Sequence, residues 1–176
     1  MPLSNILIHK QTIADKRTTI TGVLGSQGTG KTLLSKMVGN CLETLGKRVI
    51  FMSSDDFYLP YENRLRLQKD KSFLRQRGPP GTHDTELMFE VFSKLNNPTL
   101  SATDTLKIPI FDKSLHKGQG DRAGFKTIEN LDTIDMCIFE GWYTGLNSVS
   151  EDKLPVKSEL AKFSNEQLKG YKGWDF

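Results

Sequence analysis

Cysteine is scarce in this sequence, with Cys41 and Cys137 the only two among 176 residues and far apart. One falls in a helical pattern and the other in an apolar run, so both are expected as buried, reduced thiols. Neither a disulfide nor a metal is assigned to them. No window approaches the roughly 18 consecutive apolar residues of a membrane-spanning helix, and residues 1–17 lack the apolar core of a secretory signal. The net charge of +3 and the pI near 8.8 are too mild for wholesale nucleic-acid binding. There is no internal repeat and no low-complexity tract. A cytoplasmic address is expected, with neither nucleic acid nor membrane as partner, and the oligomeric state is left open.

What is present suits one packed domain. With 36% hydrophobic residues the chain can build a single core. "TTITGVLG" (18–25) is short, β-branched and glycine-ended, as a buried parallel strand would be. From Gly30 to Leu45, Leu33, Leu34, Met37, Val38, Cys41, Leu42 and Leu45 recur at helical spacing, and Gly46 can end the helix. "KRVIFMSS" (47–54) and "TIDMCIFEG" (133–141) read as further buried strands. Between them lie a basic helix over 61–75, a loop, a helix near 85–95 and an extended "LKIPIFD". Strands alternating with helices predict an α/β fold with a doubly wound, mostly parallel sheet.

The octet "GSQGTGKT" (25–32) sits between the first strand and the first helix and fits G-x-x-x-x-G-K-[ST]. Gly25, Gly28 and Gly30 let the backbone of Ser26, Gln27 and Thr29 turn its N–H groups inward, and the helix start adds its positive end. Lys31 is then expected to reach the β- and γ-phosphates and Thr32 to place its hydroxyl on Mg²⁺.

Three acidic residues follow at strand ends, where ligands of open α/β sheets bind. In "SSDDFYLP" (53–60), Asp55 is a candidate to orient an acceptor hydroxyl and take its proton. An Asp–Asp pair before a helical stretch serves equally well as an N-cap. Glu140, ending a buried strand in "CIFEG", is positioned to help arrange Mg²⁺ or its water shell.

The remaining polar motifs read as an acceptor pocket. "RGPPGTHD" (77–84) offers Arg77 as a fixed-charge fork for a carboxylate or phosphate, with His83 and Asp84 for substrate hydroxyls. By itself such a segment is more often a polar surface loop. In "FDKSLHKGQGDR" (111–122), Asp112, Lys113 and Arg122 alternate charge around glycines that permit close backbone approach. His116 there is expected to be solvent-exposed without a role. "ENRLRLQKDKSFLRQR" (62–77) has six basic and two acidic residues, a face that would draw anions or simply be solvated. Trp142 and Tyr143 line the pocket or join the core.

Taken in order, "GSQGTGKT", "SSDDFYLP", "RGPPGTHD", "PIFDKSLHKGQGDR" and "FEGWYTG" resemble the D-glycerate 3-kinase-like P-loop proteins, relatives of uridine kinase, phosphoribulokinase and pantothenate kinase. The resemblance covers about residues 18–147. It implies a P-loop fold and ATP- and Mg²⁺-dependent phosphorylation of a small-molecule hydroxyl, glycerate foremost. It favours Asp55 over Asp56 as the base, since the related kinases carry a D-x-F-Y segment whose Asp holds the acceptor hydroxyl. Asp56 and Tyr58 then join the acceptor side. Those kinases continue well beyond the point where this chain stops, and "NEQLKGYKGWDF" resembles the segment leading into the further part. One kinase-like domain over 1–176 is expected, with 148–176 the start of an incomplete C-terminal part and the strand over 18–24 left as an unpaired sheet edge. An ATP-binding protein without catalysis and a nucleoside kinase are the alternatives.

Overall fold

The computed structural model describes residues 7–10, 18–70, 74 and 76–146. The segment over 148–176 and the part of the basic helix after Asp70, apart from Leu74 and Gln76 onward, lie outside the described residues.

Among the described residues, six strands and three main helices follow one another as β1 (Leu7–Lys10), β2 (Thr19–Leu24), α1 (Lys31–Thr44), β3 (Val49–Ser53), α2 (Tyr61–Asp70), α3 (Thr85–Leu95), β4 (Leu106–Asp112), β5 (Asp121–Ile128) and β6 (Met136–Gly141). The main sheet has the order β1-β2-β6-β3. β2, β6 and β3 run parallel, while β1 is antiparallel to β2. β4 and β5 form a separate antiparallel pair with a register shift between Ile110 and Phe111. The α/β fold with a parallel sheet is as the sequence predicts. Two features are not. Asp121–Ile128 is a strand and not only a glycine-rich loop, and the face of β2 away from β6 is not an open edge. Leu7 to Lys10 pair with Leu24 to Thr21, so the N–H and C=O groups of that stretch have ladder partners and the exposed edge passes to β1.

Alternation along the strands divides the core in two. Ile50 and Met52 of β3 and Cys137 and Phe139 of β6 face one way, against Val91 and Leu95 of α3 and Leu106, Ile108 and Ile128 of the β4–β5 pair. Val49 and Ile138 face the other way with Val23, against Leu42 of α1. A period of two in buried strands demands a cover on each face, and α1 and α3 supply it.

The apolar residues of α1 do not share one face. Ser35 and Gly39 are its buried residues, and Leu42 is half-buried. Leu33, Met37 and Leu45 stand exposed. Gly39 is required by close approach: a Cβ there would overlap the ring of Phe51 on β3. Cys41 is also exposed, against expectation, while Cys137 is buried and its thiol is pushed up to about 12 by desolvation. The helix ends as Gly46 predicts. Its φ is 77°, and the N–H groups of Gly46 and Lys47 close on the carbonyls of Glu43 and Leu42.

This division of apolar residues predicts contrasting stabilities. Leu95→Ala, at a side chain with 0% exposure, should cost about 2–5 kcal/mol in chemical denaturation. Leu33→Ala, 65% exposed, should change stability by no more than about 0.5 kcal/mol. Equal losses would overturn the orientation of α1.

Candidate active site

Parallel register sets the site. Glu140 pairs with Val23 on one side and Ser53 on the other, and Gly141 pairs with Leu24. The last residues of β6 therefore lie between the glycine loop that follows β2 and the Asp55–Asp56 turn that follows β3. A cleft of about 950 Å³ opens there, lined by Lys31, Thr32, Asp55, Tyr58, Arg77, Lys113, Lys117, Glu140 and Trp142 among others.

On the loop side, Gly28 and Gly30 have φ of 78° and 83°, left-handed values that favour glycine. Gly30 is the N-cap of α1 and no side chain caps the helix, so its first N–H groups have no helical acceptor, and Lys31 and Thr32 of its first turn line the cleft. A Cβ on Gly25 would press to 2.9 Å from Thr29 Oγ1 and 3.1 Å from Lys31 Cγ. Lys31 Nζ and the Thr29 hydroxyl both donate to the carbonyl of Ser26, at 2.9 and 2.8 Å. The loop is thus compact, closed on the Ser26 carbonyl with a lysine across it. Ser26, Gln27 and Gly28 also line the cleft.

Thr32 Oγ1 donates to Glu140 Oε1 at 2.9 Å, which joins the two expected metal residues. A hydroxyl with lone pairs to spare beside a carboxylate is an all-oxygen donor set, the kind a hard divalent cation prefers. The residues present fit such an ion at the loop mouth. Among the described residues no cluster of three or more His, Cys, Asp or Glu offers a fuller metal cage.

The Asp55–Asp56 pair divides its labour. Ser53 is the N-cap of a 3₁₀ turn, Ser54–Phe57, and the Asp56 carboxylate reaches back to the Ser53 N–H at 3.2 Å in a capping box. Burial raises the Asp56 carboxyl above its ordinary range, opposed by backbone hydrogen bonds from Ser53 and Phe111. Asp56 is used up inside the fold and does not line the cleft. Asp55 does line it, paired with Lys113 Nζ at 2.6 Å, and its charge lies close enough to the Tyr58 hydroxyl to oppose that group's ionisation. The tyrosine's ionisation is raised, chiefly by burial. Gly141 keeps this turn close: a Cβ on it would overlap the Ser54 side chain.

Of the expected acceptor-side residues, Tyr58, Arg77 and Lys113 line the cleft, while Asp56, His83, Asp84, Asp112 and Arg122 do not. Asp112 accepts from the N–H and hydroxyl of Ser114 and shapes a turn. Asp84 caps α3 through the Leu87 N–H at 3.1 Å and receives Arg122 Nη2 at 2.8 Å. Arg122 also donates to the Tyr58 carbonyl, so this pair holds the "DDFY" turn to α3. His83 is buried. It bridges in β fashion to Tyr58, packs tilted at 37° against the Tyr58 ring with centroids 4.2 Å apart, and hydrogen-bonds the Tyr143 hydroxyl. Burial lowers its pKa to about 4, with the Asp55 charge acting the other way. His116 is half-exposed but not idle: it stacks on Tyr61 with centroids 3.9 Å apart and lies 3.1 Å from the Asp121 carboxylate.

Two residues were not singled out in the sequence. Arg64, one of the six basic residues of the "solvated" run, is only 4% exposed. It donates to the carbonyls of Leu59, Gln119 and Gly120. Lys117 lines the cleft from a turn in which His116 and Lys117 have φ of 50° and 57°. Left-handed backbone costs a non-glycine residue about 1–2 kcal/mol. A basic helical run carries no sign of which arginine turns inward, but Gly118 and Gly120, which follow Lys117, do mark an unusual turn.

A glycine loop between a parallel strand and an uncapped helix, with a Thr–Glu oxygen pair at its mouth and a cleft-facing carboxylate in the turn after β3, defines a P-loop nucleotide-binding α/β fold. Comparison with known proteins narrows this. No protein-family model matches the chain. It is 40% identical over 132 residues to a probable ATP-dependent kinase of Saccharomyces cerevisiae, TDA10, covering 71% of this chain and 45% of that one. It is 30% identical over 161 residues to the chloroplastic D-glycerate 3-kinase of Arabidopsis thaliana, covering 89% and 35%. The solved D-glycerate 3-kinase of Cryptococcus neoformans superposes with a TM-score of 0.66 at 33% identity, over 92% of this chain and 53% of that one. The homologues of this chain are P-loop kinases, D-glycerate 3-kinases among them, and it spans about a third to a half of the length of these three.

The His83 environment yields a pH test. Its folded pKa of about 4 lies below its ordinary 6.5, so the unfolded chain takes up the proton first as pH falls. The stability from burying it neutral is complete above pH 6.5 and is lost towards pH 4, a change approaching about 3 kcal/mol. His83→Gln should flatten the fall in unfolding free energy across that window. An unchanged slope would mean His83 is not held neutral.

Proposed function

We propose that this chain binds ATP with Mg²⁺ at the octet and transfers the γ-phosphate to the hydroxyl of a small molecule, glycerate being the favoured acceptor. The observation that carries this is Asp55. The capping box occupies its neighbour, and Asp55 alone of the pair lies in the cleft that also holds Lys31 and the Thr32–Glu140 pair.

Each residue has a physical part in the reading. Magnesium, when bound, draws together phosphate oxygens and offsets their charge. Thr32 and Glu140 would hold it, and the backbone of Ser26 to Gly30 with Lys31 would hold the phosphates. Asp55 accepts the proton of the acceptor hydroxyl as its oxygen bonds to the γ-phosphorus and the bond to the β-γ bridging oxygen breaks, releasing ADP. Tyr58 and Lys113 position Asp55 for this. Arg77 supplies a fork for a carboxylate, which favours glycerate. Trp142, 44% exposed at the cleft, offers an aromatic face and supports a nucleoside acceptor as the second reading. The residues form a single domain in this reading. The exposed thiol of Cys41 suits a reducing compartment such as the cytoplasm. No helix among the described residues is long and apolar enough to cross a membrane.

A γ-phosphate transfer screen over glycerate, other hydroxy acids, sugars and nucleosides tests the acceptor; ATP binding with no transfer to any of them would leave a binding protein. Lys31→Ala should weaken ATP affinity and abolish transfer, and undiminished binding would remove the octet from the nucleotide site. Asp55→Asn should keep ATP affinity nearly intact and slow transfer by about 10²–10⁴-fold. Asp56→Asn should act mainly on stability. The reverse pattern would make Asp56 the base.

A further inference from the structure

The acceptor half of the cleft carries more positive charge than the fold neutralises. Three cationic side chains line it near Asp55: Arg77, Lys113 and Lys117. Lys113 is paired with Asp55. Among the described residues neither Arg77 nor Lys117 has a carboxylate within ion-pair distance. The nearby acids are committed elsewhere, Asp112 to Ser114 and Asp121 to His116 and the N–H groups of Tyr61 and Arg122. Like charges gathered in a concave site repel unless an anion joins them, and the field they set up concentrates anions there.

The turn that carries Lys117 is held in place. Its backbone is left-handed at His116, Lys117 and Gly118. Arg77 Nη1 donates to the Gly118 carbonyl at 2.5 Å, and buried Arg64 donates to the two carbonyls that follow. Arg64 also holds the carbonyl of Leu59, next to Tyr58. One guanidinium thus fixes the lysine turn relative to the Asp55–Tyr58 segment. Three N–H groups in a planar fork suit this; an ammonium would not span the same carbonyls.

We infer that Arg77 and Lys117 form a subsite for an anionic group on the acceptor itself, a carboxylate or phosphate beside the hydroxyl to be phosphorylated, and that Arg64 is the positioning residue that sets Lys117. The inference rests on the kinase reading above and restricts its acceptors to hydroxy acids and sugar phosphates. Arg77 has donors left after binding Gly118, and with the Lys117 ammonium it can close on one anion from two sides. The turn's strain is retained because it points a lysine at the cleft where a relaxed turn would not.

Calorimetric titration with D-glycerate, glycerol 3-phosphate and glycerol, each with and without a non-hydrolysable ATP analogue, tests this on the whole chain. Titration of ATP alone runs beside it. At least one of the two anions should bind, and glycerol should bind at least about tenfold more weakly. Lys117→Gln should weaken the anion about tenfold and leave ATP within about twofold, while Lys117→Arg restores the anion. Arg64→Lys should weaken the anion with an unchanged circular dichroism spectrum. Glycerol binding as tightly as the anions, no binding by either anion, or a Lys117→Gln loss that falls on ATP instead overturns the subsite. Failure of ATP alone to bind removes the nucleotide reading, and anion binding without nucleotide still reports on the subsite.

Discussion

Glu140 lies level with Val23 on one neighbouring strand and Ser53 on the other, and the site depends on that register. A parallel strand between two others brings three carboxyl ends to one rim, each followed by a different kind of turn. Glycine at 25, 28 and 30 turns the first into a compact loop closed on the Ser26 carbonyl. Serine at 53 turns the second into a capped 3₁₀ turn. Slipping β6 by one residue would reverse which of its side chains face each layer, removing Phe139 and Cys137 from the large core and Glu140 from Thr32. Core packing and the placement of the oxygen pair are one constraint, so the chemistry at the rim inherits the stability of the sheet.

The side of the cleft around Arg77 and Lys117 is built differently. The main sheet does not supply it; its residues come from α2, the ends of the β4–β5 pair and the loops beside them, and loops would wander if left alone. They are tied by side chains to main-chain carbonyls: Arg64 to residues 59, 119 and 120, Arg77 to 118, Arg122 to 58. Backbone pairing adds to this, with Leu59 bonded to Thr82 and Asp84 to Phe57. Arginine suits such work because it stays charged and offers several donors in one plane. The basic composition of this stretch is therefore partly internal scaffolding and partly a lining for the cleft.

Polar side chains in the middle of the molecule are likewise mostly spent on geometry. Asp56, Asp84 and Asp112 each satisfy backbone N–H groups at the start of a turn or helix. His83 is packed between Tyr58 and Tyr143 and kept neutral by burial. What remains unspent, Asp55 with its lysine and the cations around it, is what faces the cleft.

By itself the sequence determined the elements whose signals are local. The octet and its flanks specify strand, loop and helix because glycine conformation and 3.6-residue periodicity act over a few neighbouring residues. The Schellman end at Gly46 and the buried "CIFEG" strand are legible for the same reason. Only the tertiary structure decided which of two adjacent aspartates lines the cleft, since both fit an N-cap and the choice turns on Ser53 and the chain packed beyond it. It also decided that Leu7–Lys10 covers β2, that Arg64 turns inward from a run resembling a solvated face, and that Asp84 and Arg122 find each other across 38 residues. These outcomes rest on contacts between segments far apart in the chain, where local residue patterns carry no record of the partner.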